Sequence, residues 1–246
     1  MAPQLSARDF PSVGGPVMDV RQRKLEATQS LLGDTIRISE QAWHEPSRLP
    51  GWTRAHVATH LARNADAVAH VITGYLSGIP TRLYGSDQAR DHDIEVGADR
   101  DGLSLQIDLD TSAGELKRVF DLLPPESDAV IRLMRGIRLP LTLLPLARLH
   151  EVVLHHIDLD CGFLIDDVDA EIARWLLEWA AFRIGQDPTH PALNLHSASG
   201  FAAVVGGLGE PVDVWGPDNR LLGWLTGRAD RDGLVGAPDM TFPPHG

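Results

Sequence analysis

The sequence holds a single cysteine, Cys161, in 246 residues. One thiol cannot close an internal disulfide, which suits a reducing cytoplasm, and it excludes a structural zinc site built from several thiolates. Runs of Lys or Arg are absent, and 22 basic residues stand against 34 acidic ones, for a formal net charge of -12. A surface of that sign repels phosphate backbones, so nucleic acid is not an expected partner and the charge serves solubility. No stretch reaches 18 apolar residues, so no membrane-spanning helix and no membrane partner are expected. The opening MAPQLSARDFPSVGGPVMDV has no apolar core of the kind a signal peptide carries. The expected location is the cytoplasm and the expected state a monomer. Internal repeats and low-complexity runs are lacking as well.

What is present is globular. Apolar residues make up 43% and charged residues 23%, enough for a sizeable core at an ordinary surface charge. Residues 1–16 carry three Pro and two Gly and read as a loose leader. Helical spacing of Leu25, Leu32, Ile36 and Ala42 predicts a first helix from Val17 to Trp43. A second is predicted from Arg54 to Leu76, with Thr53 as N-cap and Val57, Leu61, Ala65, Val68 and Ile72 along its apolar stripe. His60 and Asn64 adjoin that stripe. Residues 80–110 read as a long polar connection, with a short helix over Ala89–Val96. A third helix is expected from Thr111, opened by a capping box of Ser112 and Glu115 and closed by Pro124-Pro125. Residues 129–139 suggest a hairpin about Gly136, and Pro145 opens a fourth helix over Leu146–Leu159.

The pattern then changes. Asp166–Ile184 predicts an amphipathic helix, followed by strands at Ala192–His196, Phe201–Val205 and Val212–Trp215, a short helix over Arg220–Thr226 and a loose tail, Ala237–Gly246. The fold class read from this order is α+β, with four helices over 17–162 and a smaller α/β domain over 166–240.

One constellation carries chemistry. Glu151 and His155 are four apart on the fourth helix and project from one face. With His60 from the second helix they would make three His/Glu ligands from two facing helices, the composition of a catalytic zinc site with an open position. Taken alone, a Glu and a His at this spacing are more often a surface pair, and His56 with His60 is an equally spaced alternative. Periodicity does not choose between them.

Four segments, in order, resemble the mycothiol-dependent maleylpyruvate isomerase family of the DinB-like metal-binding superfamily: GWTRAHVATHLARNADA (51–67), YGSDQARDHDIEVGA (84–98), HEVVLHHIDL (150–159) and WLTGRADRDGL (224–234). The resemblance implies a DinB-like four-helix bundle at the N-terminus and a sterol-carrier-like module after it. It implies His60, Glu151 and His155 as ligands of a divalent metal, zinc being the best match to sulfur, imidazole and carboxylate together. It leaves His56 a packing or capping role, lets Asp158 orient a neighbour, and makes Arg228 a catalytic residue. It makes mycothiol a cofactor and maleylpyruvate the small-molecule substrate. A thiolate that adds to the cis double bond leaves a single bond free to rotate, and elimination then gives the trans acid, fumarylpyruvate. Arg228 would hold the enolate oxygen or a substrate carboxylate. Cys161 fits no motif of that family and reads as a buried, inert thiol. Three other readings stay open: a mycothiol S-transferase with the same metal site, a non-enzymatic small-molecule binder, and a metal hydrolase, the last disfavoured because H-E-x-x-H is absent.

Overall fold

The computed structural model describes residues 14–79, 81–132, 138–185 and 187–244. Cα packing separates two units, Val17–Gly162 and Phe163–Gly246, the second including Val13–Pro16. The architecture is α+β. Among the described residues no helix is long and apolar enough to cross a membrane.

In the first unit four long helices pack in a ring. They are α1 (Val17–Thr35), α3 (Arg54–Leu76), α5 (Gly102–Leu122) and α6 (Leu144–Asp158). α3 lies against α5 and α6, and α1 against α6 and α5. The first helix is shorter than its spacing predicts. It stops at Thr35, and a separate four-residue turn, α2 (Glu40–Trp43), restarts with the Ser39 hydroxyl accepting from the Ala42 N–H. That local cap satisfies donors a continuous helix would have bonded internally. Thr53 caps α3 as expected. The partner that completes its capping box is His56, whose Nδ1 accepts from the Thr53 N–H at 3.2 Å.

The 80–110 connection is mostly helical. Ser86 caps α4 (Asp87–Ala98), and Asp101 caps α5. The predicted cap at Ser112 is therefore displaced by eleven residues, to Asp101: Ser112 is buried inside α5 and its hydroxyl donates back to the Leu109 carbonyl. The misleading stretch is Leu103-Ser104-Leu105-Gln106-Ile107-Asp108-Leu109. Its apolar residues alternate with period two, which hides the helix. Only Leu105 and Leu109, four apart, face the core; Leu103 and Ile107 are 69% and 56% exposed. Gly97 brings α4 close to α3, since a Cβ there would fall 2.3 Å from Cγ2 of Thr59. β1 (Val130–Arg132) pairs antiparallel with β2 (Arg138–Pro140); the predicted turn about Gly136 lies outside the described residues.

The second unit holds α7 (Ala170–Gly185), β3 (Pro191–Ser197), β4 (Ala202–Val205), β5 (Leu208–Gly216) and α8 (Asp218–Leu225). Sheet order is β4-β3-β5, with β3 antiparallel to β4 and parallel to β5. One face is buried through Leu193, Leu195, Val205 and Val214, and the other leaves Val204 and Trp215 exposed. The tail expected to be loose packs back as far as it is described. Phe242 is buried, its ring meets Trp224 edge-on at 5.1 Å, and the Trp224 indole points to the Met240 carbonyl. Of the expected loose leader, residues 1–13 lie outside the described residues, and the Gly14 N–H donates to Glu178 at 2.7 Å.

Candidate metal centre

α3 and α6 meet through buried polar rungs. On the first, Nε2 of His60 stands 3.0 Å from Oε2 of Glu151. On the second, one turn along each helix, the buried Arg148 donates to Oδ1 of Asn64 at 2.6 Å. These pairs are 91 and 84 residues apart in sequence, so only the packing of the two helices creates them. His155, one turn beyond Glu151, brings its Nε2 to 3.5 Å from the same carboxylate oxygen. The two imidazoles meet edge-on, with ring centroids 4.6 Å apart.

Ligand atoms of His60, Glu151 and His155 lie within 4.8 Å of one another, and no other such group occurs among the described residues. The fit to a small ion can be tested on these distances. Two ligands about 2.05 Å from one ion at the tetrahedral angle stand about 3.3 Å apart. The two observed separations, 3.0 and 3.5 Å, bracket that value. His155 Nε2 is buried and makes no hydrogen bond among the described residues. A buried nitrogen left so is costly unless another group takes its lone pair. The donor set therefore suits a divalent cation. Both imidazoles are sealed, at 3% and 2% side-chain exposure, while Glu151 is 11% exposed.

Neighbouring groups fix the triad. Oδ2 of the buried Asp158 stands 2.8 Å from Nδ1 of His155. A proton held there leaves Nε2 free to bind, the arrangement that usually backs a ligating histidine. Arg90, carried by α4, places Nη2 3.3 Å from Nδ1 of His60, while its Nη1 contacts Asp91 at 2.8 Å. Trp52 packs on both His56 and His60. Electrostatics follow from this burial. Desolvation pulls His60 down to about 4 against the opposing pull of Glu151. Burial also disfavours the charges of Glu151 and protonated His155. The two imidazoles beside it nevertheless hold Glu151 well below the ordinary carboxylate value. Asp158 and Glu151 together raise His155 above the ordinary histidine value.

The structure thus brings together all three residues singled out as ligands, and it gives the alternative candidate, His56, a capping role at the start of α3. Arg228 belongs to the second unit. Its Nη1 donates to the Thr226 carbonyl at 2.7 Å, and it lines a cleft of about 520 Å³ with Trp224, Arg231 and Met240. Cys161 is half-buried and burial pushes its thiol up, which keeps it protonated. Reading the sequence missed Arg90, Tyr84 and the Asn64–Arg148 rung. Arg90 and Tyr84 lie in the segment 84–98 already noted for its resemblance. The rung has no sequence signal.

An α+β chain with a His/His/Glu cluster between two helices of a four-helix ring is defined as a class by these features. The sequence profile described as the mycothiol maleylpyruvate isomerase N-terminal domain matches residues 25–160, over half the chain, and the protein belongs to that family. Two solved structures share the fold, one of the mycothiol-dependent maleylpyruvate isomerase and one of a histidine-to-alanine mutant of it. They are 21% and 20% identical to this chain, each with a TM-score of 0.82, covering 98% of this chain and 99% of theirs. No curated protein matches the sequence.

Proposed function

We propose that this protein is an enzyme that isomerises maleylpyruvate to fumarylpyruvate with mycothiol, at a divalent metal, zinc being the favoured ion, held by His60, Glu151 and His155. The observation that carries the reading is the convergence of these side chains, with Asp158 behind His155, in a member of this family. When bound, the metal lowers the pKa of a coordinating thiol, and the thiol supplies a nucleophile whose reversible addition frees the cis double bond to rotate.

The chain's own residues prepare that chemistry. Asp158 keeps the His155 proton on Nδ1 and turns Nε2 toward the ligand cluster. Burial keeps the His60 imidazole neutral at neutral pH, and the imidazoles keep Glu151 ionised, so of the three donors it is chiefly His155 whose proton competes with the ion. Trp52 shields the His60 side of the cluster from water. Arg228 is assigned the substrate's anionic oxygen, on the family resemblance and on its planar, permanently charged fork. The deciding experiment follows maleylpyruvate with and without mycothiol, in wild type, His155→Ala and Arg228→Ala. The reading requires thiol-dependent turnover in wild type, loss of metal and turnover in His155→Ala, and loss of turnover with metal retained in Arg228→Ala. Wild-type turnover of an alkylating electrophile alone would instead support the S-transferase reading.

A further inference from the structure

Tyr84 lies on the connection between α3 and α4, two residues before the Ser86 cap. Its hydroxyl is shielded from solvent, yet among the described residues it meets no partner in full hydrogen-bond geometry; Asn64 alone offers it a weak contact. A buried phenol normally finds an acceptor, and leaving one unmet is unfavourable. Acceptors nearby are engaged elsewhere. Asn64 has its Oδ1 bonded by Arg148, and Glu151 has its Oε2 bonded by His60. The groups around the hydroxyl are Glu151, Arg90, Asn64 and Arg148. Two of these are cations, and Glu151 is the most exposed member of the triad. A shielded O–H donor with no well-placed protein acceptor, within the electrostatic reach of two guanidinium groups, matches an anionic oxygen supplied from outside.

We propose that the Tyr84 hydroxyl donates a hydrogen bond to a carboxylate or enolate oxygen of a small organic acid bound beside Glu151. This rests on the isomerase reading, in which substrate and product are such acids, and it adds a ligand-contacting residue that the metal triad does not supply. Burial, followed by the charge of Glu151, raises the phenol above its ordinary value, so the proton remains available for donation.

The test compares zinc-loaded wild type with Tyr84→Phe, using maleate as the probe, and measures zinc content, ligand-free thermal stability, maleate affinity by calorimetry and thiol-dependent turnover of maleylpyruvate. Tyr84→Phe should keep its zinc and nearly all of its ligand-free stability, because only a weak contact with Asn64 is lost. Maleate affinity should fall about 10- to 100-fold, the worth of a hydrogen bond to a charged oxygen, and turnover should fall with it. Unchanged maleate affinity, a clear drop in ligand-free stability, or a wild type that does not bind maleate overturns the proposal. If maleate binding falls as expected but wild type shows no turnover, the Tyr84 contact stands and the isomerase reading fails.

Discussion

Removing the carboxylate behind His155 tests the ligand geometry from a residue that would not itself touch an ion. Asp158 is 1% exposed and its Oδ2 stands 2.8 Å from His155 Nδ1. Asp158→Asn can still accept the Nδ1 proton but loses the charge, whereas Asp158→Ala loses both. Groups in this position are worth about 10- to 100-fold in metal affinity, or about 1.4–2.8 kcal/mol. The asparagine variant should fall near the lower end and the alanine variant near the upper. A second effect runs the other way. Burial works against protonated His155, but Asp158 and Glu151 raise its pKa, so a proton competes with the ion until pH passes that raised value. Both variants lower the pKa and end the competition sooner. The loss of affinity should therefore be smaller at pH 6 than well above the histidine range, where only the ring's orientation matters. The same pair stabilises the metal-free fold fully below the ordinary histidine pKa of about 6.5, and that stability fades as pH rises through the raised value. Zinc affinity measured by competition with a chelator across this range is the assay. Wild-type affinity in Asp158→Ala at high pH would refute the reasoning.

Replacing Arg90 with Ala should tighten zinc binding several-fold in the same competition assay. Its guanidinium faces Nδ1 of His60 and favours a proton on Nε2, the nitrogen nearest Glu151; unchanged or weaker binding would contradict this. Leu105→Ala should cost about 2–5 kcal/mol in urea unfolding, while Leu103→Ala should stay within about 0.5 kcal/mol. Equal costs would mean that α5 presents a different face to the core. Phe242→Ala should cost about 3 kcal/mol, because it empties a buried site against Trp224. A cost under about 1 kcal/mol would show that the tail is not docked.

Helices with a clean 3.6-residue stripe were legible in the sequence. α3 starts at its predicted cap and ends at its predicted stop, and Pro145 marks the first turn of α6. α5 was not fully legible, because Leu103 and Ile107 add apolar residues on its solvent side and turn the pattern into an alternation. The tail was misread because Pro and Gly signal irregular backbone, which need not be loose backbone; one aromatic, Phe242, is enough to anchor it. At the site, the spacing of Glu151 and His155 was visible, and the family resemblance, where periodicity could not, preferred His60 to His56. The His56 ring is engaged in a capping interaction, which accords with that choice. Tyr84 and Arg90 lie in the segment 84–98 noted for its resemblance, but the Arg90 contact with His60 and the Arg148 contact with Asn64 join elements far apart in sequence, which no local pattern announces.

The most direct test is X-ray absorption at the zinc edge on stoichiometrically loaded protein, before and after addition of mycothiol. One ion per chain with two imidazole nitrogens and a carboxylate oxygen is expected first, joined by a sulfur at about 2.3 Å when the thiol is present. Zinc that does not load, or a coordination sphere that admits no sulfur, contradicts the assignment of His60, Glu151 and His155 to a thiol-activating metal.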